Sequence, residues 1–298
     1  MFGNYFGHYL VEQNCITAEQ LQDVTEAQKS ARVKLGILAV ASGLLTEKQA
    51  DEVNMLQQQM DKRFGDIAVE KGYLTEDQVG EMLAKQGDDY MTFVQAMTDK
   101  GIMTLSEVQA KVSEFQEAEG YSDREMDDLK SGDLDLIVPI FMKNPALSRL
   151  HKEYVALIMR NIMRFVDTDI RMEEMVQLTP TELQCGVEQG IFGDQKMFTG
   201  IFGEPEAILD IASTFGKEDF SAVDADSLDS VGEFLNVNNG LFVSTKSEEG
   251  IELDLEPPVM YPEHKTASTD GIAYLVPVYL SGKKVTIVLS VNAEVELA

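Results

Sequence analysis

The sequence predicts an α+β protein, with an all-α N-terminal part followed by a domain of mostly antiparallel sheet packed with long helices. Three observations predict it. Capping residues and glycines recur every 29 residues over 1–116, a charged break interrupts that period at 117–135, and strand-like alternation replaces helical spacing in the last third. The size, 298 residues, suits two domains. With 24 Lys+Arg against 52 Asp+Glu, the net charge of −28 excludes nucleic-acid binding through clustered basic residues and docking on anionic membranes. Cys15 and Cys185 are too few for a disulfide framework. No apolar run approaches the roughly 20 residues of a membrane span, and the first residues lack the basic-then-apolar pattern of a signal peptide. An acidic cytoplasmic protein without membrane insertion is expected.

The repeat is carried by several columns. Thr17, Thr46, Thr75 and Thr104 are each followed three residues later by Gln20, Gln49, Gln78 and Glu107, the pattern of a capping box. Three residues before each Thr stand Asn14, Gly43, Gly72 and Gly101, residues suited to a left-handed helix C-cap. The first helix of each unit opens with Phe6-Gly7, Leu35-Gly36 or Phe64-Gly65, the fourth copy departing as Phe93-Val94. The second ends near Gln28, Gln57 and Gln86, with Phe115 in the fourth register. Each unit therefore reads as a helical hairpin, and four of them stack. Residues 34–57 and 63–86 resemble the N-terminal motifs of type II secretion and pilus ATPases, of which one branch binds cyclic di-GMP through paired motifs. Here only Lys34 and Arg63 are basic at the motif starts, and the two copies are five residues apart, far closer than in that branch. Scaffolding or recruitment is the reading of this part, with a cyclic di-GMP sensor as alternative.

Residues 117–135 read as an exposed acidic linker. Asn144-Pro145 is expected to start a long helix through about Val166, and the acidic run 167–174 to be its solvated end. Strand candidates are 173–178, 182–188, 196–202, the alternating 250–256, and the hairpin 273–280 and 284–291 about Ser281-Gly282-Lys283; helices cover about 205–215 and 226–240. The two G-I-F-G tetrapeptides, 190–193 and 200–203, read as turns. His8, His151 and His264 lack metal-ligand spacing, and Cys185 reads as a small buried residue. Phosphate-loop, dinucleotide and zincin motifs are absent, so no cofactor or metal of its own is expected.

One constellation remains, on the helix D-S-L-D-S-V-G-E-F-L-N-V-N-N-G. At 100° per residue Asp229, Glu233, Asn236 and Gly240 share a polar face, while Leu228, Val231 and Leu235 form the core face. Asn is a poor mid-helix residue, and three positions after Glu it sets an amide beside a carboxylate. Asp229, Glu233, Asn236 and Pro258 also satisfy the spacing of the CheC and CheX chemotaxis phosphatases, which residues 145–298 resemble. Asn161 stands in the equivalent register of the first half, but Ile158 and Leu183 replace its Glu and Pro, so the single-site CheX type is implied. That resemblance implies hydrolysis of the aspartyl phosphate on a phosphorylated CheY-like response regulator that carries Mg²⁺. Asn236 would orient water, Glu233 would meet a lysine of the regulator, and Asp229 and Pro258 would support the helix, in a protein that commonly forms a homodimer. Glu233 and Asn236 should then both be exposed. A non-enzymatic adaptor is the other alternative.

Overall fold

Two units divide the chain, Met1–Asp133 and Leu134–Ala298; the computed structural model describes residues 1–30, 33–59, 63–84 and 89–298. Gln86 lies outside the described residues. In the first unit α1 (Phe2–Glu12) pairs with α2 (Ala18–Ser30), α3 (Leu35–Ala41) with α4 (Glu47–Gln59), α5 (Phe64–Glu70) with α6 (Glu76–Ala84), and α7 (Asp89–Asp99) with α8 (Leu105–Glu119). Between the helices of each pair the backbone turns left-handed, at Asn14, Gly43, Gly72 and Gly101. The next amide (Cys15, Leu44, Tyr73, Ile102) then bonds a carbonyl five residues back, which closes the outgoing helix. The hydroxyls of Thr17, Thr46, Thr75 and Thr104 accept from the amide three residues on, and each Thr amide donates to Gln20, Gln49, Gln78 or Glu107 in return. A Cβ on Gly7 or Gly65 would lie 2.4 Å from Leu21 or 2.9 Å from Val79, so these two glycines set how closely the helices of their hairpins approach, whereas Gly36 faces Phe64 of the next hairpin.

The hairpins do not pack in chain order. The first meets the fourth, with α1 and α2 against α7, and the second meets the third, with α3 against α5 and α6. Phe2, Phe6, Phe93 and Phe115 fill the first of these junctions. Residues 117–135 are not the exposed linker expected. The helix α8 runs through Glu119, and α9 (Asp123–Ser131) follows, capped by Ser122 with Glu125 and ended at left-handed Gly132. Its charges point outward, while Met126 and Leu129 are buried. Two apolar residues three apart are enough for an inner stripe, and the surrounding charge concealed them.

The second unit opens with α10 (Leu134–Phe141) and α11 (Arg149–Phe165). Then come β1 (Ile170–Met172), β2 (Val176–Gln177), β3 (Thr181–Leu183), β4 (Cys185–Gly193) and β5 (Met197–Gly203). Two helices follow, α12 (Pro205–Gly216) and α13 (Ala225–Glu248). The rest is strand: β6 (Leu253–Leu255), β7 (Val259–Tyr261), β8 (Lys265–Thr269), β9 (Ala273–Leu280), β10 (Lys283–Val291) and β11 (Val295–Leu297). An eight-stranded sheet has the order β1-β9-β10-β5-β4-β6, with β2 on β9 and β7 on β4; β11-β8-β3 form a second sheet, and every pairing is antiparallel. Side chains alternate across the large sheet. Gln189 and Thr199 reach α13, whereas Phe198 and Phe202 pack with Leu183, Ala267 and Leu275 in a core toward the small sheet. Ser281 and Gly282, both with positive φ, form the two-residue turn of the β9–β10 hairpin.

Several boundaries differ from expectation. The long helix α11 starts at Arg149, because Asn144 Oδ1 accepts from the Ala146 amide and holds 144–147 in a turn. The acidic run contains β1 rather than a helix end, and 250–256 shrinks to the three residues of β6. Both G-I-F-G segments lie in strands, not turns. Among the described residues no helix is long and apolar enough to cross a membrane.

Leu129 is fully buried, so Leu129→Ala should lower stability in urea by about 2–4 kcal/mol; an unchanged midpoint would restore the linker reading. His151, in the first turn of α11, is 5% exposed. Its Nδ1 accepts from the Ser148 amide, its ring edge meets Tyr274, and burial pushes its pKa down to about 4. The fold favours the neutral imidazole, so this stability is present above about pH 6.5 and is lost as pH falls toward 4, by at most about 3 kcal/mol. His151→Gln, which keeps an acceptor for Ser148, should flatten the stability profile between pH 6.5 and 4.5. An unaltered slope would assign it to other groups.

Candidate functional site

The helix α13 is anchored at its start by Asp224, whose carboxylate accepts from the Ser227 amide at 3.0 Å. Its inner face, Leu228, Val231, Phe234, Leu235 and Phe242, is buried. Ser230 Oγ donates to the Ala212 carbonyl of α12, and Phe215 meets Phe234 edge-on. The outer face carries Asp229 and Glu233, both exposed and neither with a side-chain partner among the described residues. They border a cleft of about 500 Å³ lined also by Phe215, Glu218, Phe220 and Asp226. Its lining holds four carboxylates and no basic side chain, so it favours a cationic visitor. Pro258, in the loop between β6 and β7, packs where α13 has no side chain; a Cβ on Gly232 would lie 3.5 Å from Pro258 Cβ.

Asn236 differs from the expectation of an exposed side chain. It is half-buried, and its Oδ1 accepts from Gln189 Nε2 at 2.8 Å, while its Nδ2 donates to no protein atom among the described residues. Behind it runs a chain of buried amides. Gln189 Nε2 also donates to the Glu256 carbonyl (2.8 Å), and Gln189 Oε1 accepts from Asn239 Nδ2 (2.8 Å). Asn239 Nδ2 also reaches Thr199 Oγ1, which donates to the Gln189 carbonyl. Tyr154 OH donates to Asn239 Oδ1 at 2.7 Å, and Asn161 Nδ2 to Asn238 Oδ1 at 2.8 Å. Asn161 is thus turned inward and its amide nitrogen is spent inside the core.

Residues 186–277 match the family model described as chemotaxis phosphatase CheX. The CheX match spans Gln189, the whole of α13, and Pro258, and therefore contains Asp229, Glu233 and Asn236. Unit 1 lies outside it. Similar solved structures include a CheC-like superfamily protein from Shewanella sp. PV-4, at 17% identity and TM-score 0.44 over 49% of this chain and 99% of that one. The chemotaxis protein CheX from Vibrio vulnificus is similar at 15% identity and TM-score 0.43, over 48% and 99%. So is the CheX–CheY–BeF₃–Mg²⁺ complex from Borrelia burgdorferi, at 20% and 0.40, over 48% and 97%. No curated protein matches.

Sequence reasoning brought Asp229, Glu233, Asn236 and Pro258 together and missed Gln189 and Asn239. A Gln on the face of β4 that also carries Val187 and Ile191, and paired Asn238-Asn239 on a helix, were the available signals. Cys185 is buried, with its thiol pKa raised by burial. Among the described residues no cluster of three or more His, Cys, Asp or Glu could hold a metal.

Proposed function

We propose that the second unit hydrolyses the aspartyl phosphate of a CheY-like response regulator, with α13 as the inserted element. The observation that carries this reading is the Asn236 amide. It is half-exposed, held through its oxygen, and one turn from the carboxylate of Glu233; among the described residues neither its nitrogen nor that carboxylate has a partner. The CheX match over the same residues supports it. An acyl phosphate is already activated, so hydrolysis needs chiefly a water in line with the phosphorus. The Nδ2–H of Asn236 and the second lone pair of its Oδ1 suit that task without adding negative charge beside phosphoryl oxygens. The water oxygen bonds phosphorus, the bond to the aspartyl oxygen breaks, the carboxylate leaves with the electron pair, and the proton goes to the phosphate released. Mg²⁺ belongs to the regulator. Glu233 meets a lysine of that regulator, and the acidic cleft beside it suits such a cation. Asp229 and Pro258 shape the helix. In the assembly this reading implies, two copies pair.

The first unit is proposed to recruit or regulate rather than react. Lys34, one of two basic residues at the motif starts, pairs with Asp99 at 2.6 Å, which weighs against a cyclic di-GMP site.

The test is decay of labelled phosphate from candidate regulators, with and without the protein. Asn236→Ala should keep regulator binding and lose at least about 100-fold in turnover, the scale of positioning effects. Asn236→Asp, which brings a charge toward the phosphoryl group, should be similarly inactive at neutral pH. Glu233→Ala should weaken both docking and turnover. Wild-type turnover in Asn236→Ala, on a regulator that the protein dephosphorylates, would leave the adaptor reading in possession of the site.

A further inference from the structure

We propose that Gln189 is the positioning residue of this site: it fixes which end of the Asn236 amide faces the phosphoryl group. The inference rests on the phosphatase reading for its consequence in turnover but not for its structural content. A side-chain amide is pseudo-symmetric, so its orientation must come from neighbours that can only donate or only accept. Two backbone carbonyls supply that constraint here. The Glu256 carbonyl only accepts, so the group of Gln189 that lies 2.8 Å from it is Nε2. The Gln189 carbonyl also only accepts, so Thr199 spends its hydroxyl proton there (2.7 Å) and accepts from Asn239 Nδ2 (2.9 Å). Asn239 Nδ2 then also meets Gln189 Oε1, in agreement with the first constraint. With its polarity set at both ends, Gln189 offers Asn236 only a donor. Asn236 must answer with Oδ1 and turn Nδ2 outward.

Gln189 is 1% exposed and belongs to β4, in the middle of the paired region with β5, so the donor sits on rigid backbone. It does not line the acidic cleft, and its burial keeps it behind the surface that a regulator would meet. Of the proposed site residues it bonds Asn236 alone; its other side-chain bonds go to Asn239 and the Glu256 carbonyl. Without it, the Asn236 amide could rotate or turn over, and the water would lose its fixed partner.

Two readouts test this in the full-length chain, with Gln189→Met, which keeps the length and removes the donor. Nitrogen-15 relaxation of the Asn236 side-chain NH₂ should show one ordered conformer in wild type and a mobile or exchanging one in Gln189→Met. Turnover on a phosphorylated regulator should fall at least tenfold in Gln189→Met while affinity for the beryllofluoride-activated regulator changes less than twofold. In an Asn236→Ala background the same substitution should change turnover less than twofold. An Asn236 NH₂ as ordered in Gln189→Met as in wild type would overturn the proposal. So would an undiminished tenfold loss in the Asn236→Ala background. If no regulator is dephosphorylated by the wild type, the phosphatase reading fails, and the relaxation comparison still decides whether Gln189 fixes the amide. Gln189→Glu, which still accepts from Asn239 but offers Asn236 no proton when ionised, replaces Gln189→Met if that variant does not fold, with the same outcomes.

Discussion

The second unit depends on one constraint: a row of amides buried between α11, α13 and the sheet must all be satisfied at once. Asn161, Asn238, Asn239 and Gln189, with Tyr154 and Thr199, have almost no access to water. Each unmade hydrogen bond there would cost about 1–3 kcal/mol. Hydrogen bonds close the chain from Asn161 at one end to the Glu256 carbonyl at the other. This fixes the rotation of α13 about its axis. A turn of one residue would put Asn238 or Gly240 where Asn239 stands and move Asn239 out of reach of Thr199.

The same rotation determines what the helix shows outside. With Asn239 inward, Asn236 lies at the border of the core and Glu233 and Asp229 lie outside it. Two asparagines three positions apart on one helix thus have different duties. The inner one holds the helix to the sheet, and the outer one receives a single bond from that layer and offers its remaining groups outward. Pro258 acts at the same place by filling the gap over Gly232. The site therefore consists of an exposed face whose geometry is set from behind.

Much of this was legible in the sequence, and the rest was hidden for identifiable reasons. The Thr and Gln columns coincide with capping boxes because a cap is local: its partners lie three residues apart. The outer face of α13 was legible because helical period alone places Asp229, Glu233 and Asn236 together. What period cannot supply is a partner from elsewhere. Gln189 is 47 residues from Asn236, and only the β4–α13 packing joins them. The hairpins of the first unit pair first with fourth for the same reason: a repeat specifies its own turn and leaves the choice of neighbour to faces that resemble one another. Helix α9 was misread because charge density outweighed two buried apolar residues.

The claim that burial, not residue type, separates the two asparagines is tested most directly by urea unfolding of Asn239→Ala beside Asn236→Ala. Asn239→Ala strips partners from Tyr154, Gln189 and Asn238 inside the core, and should lower stability by about 2–4 kcal/mol. Asn236→Ala removes one bond at the border and should stay within about 1 kcal/mol of wild type. Equal losses for the two variants would contradict the account, because the buried amide layer would then have no part in holding α13.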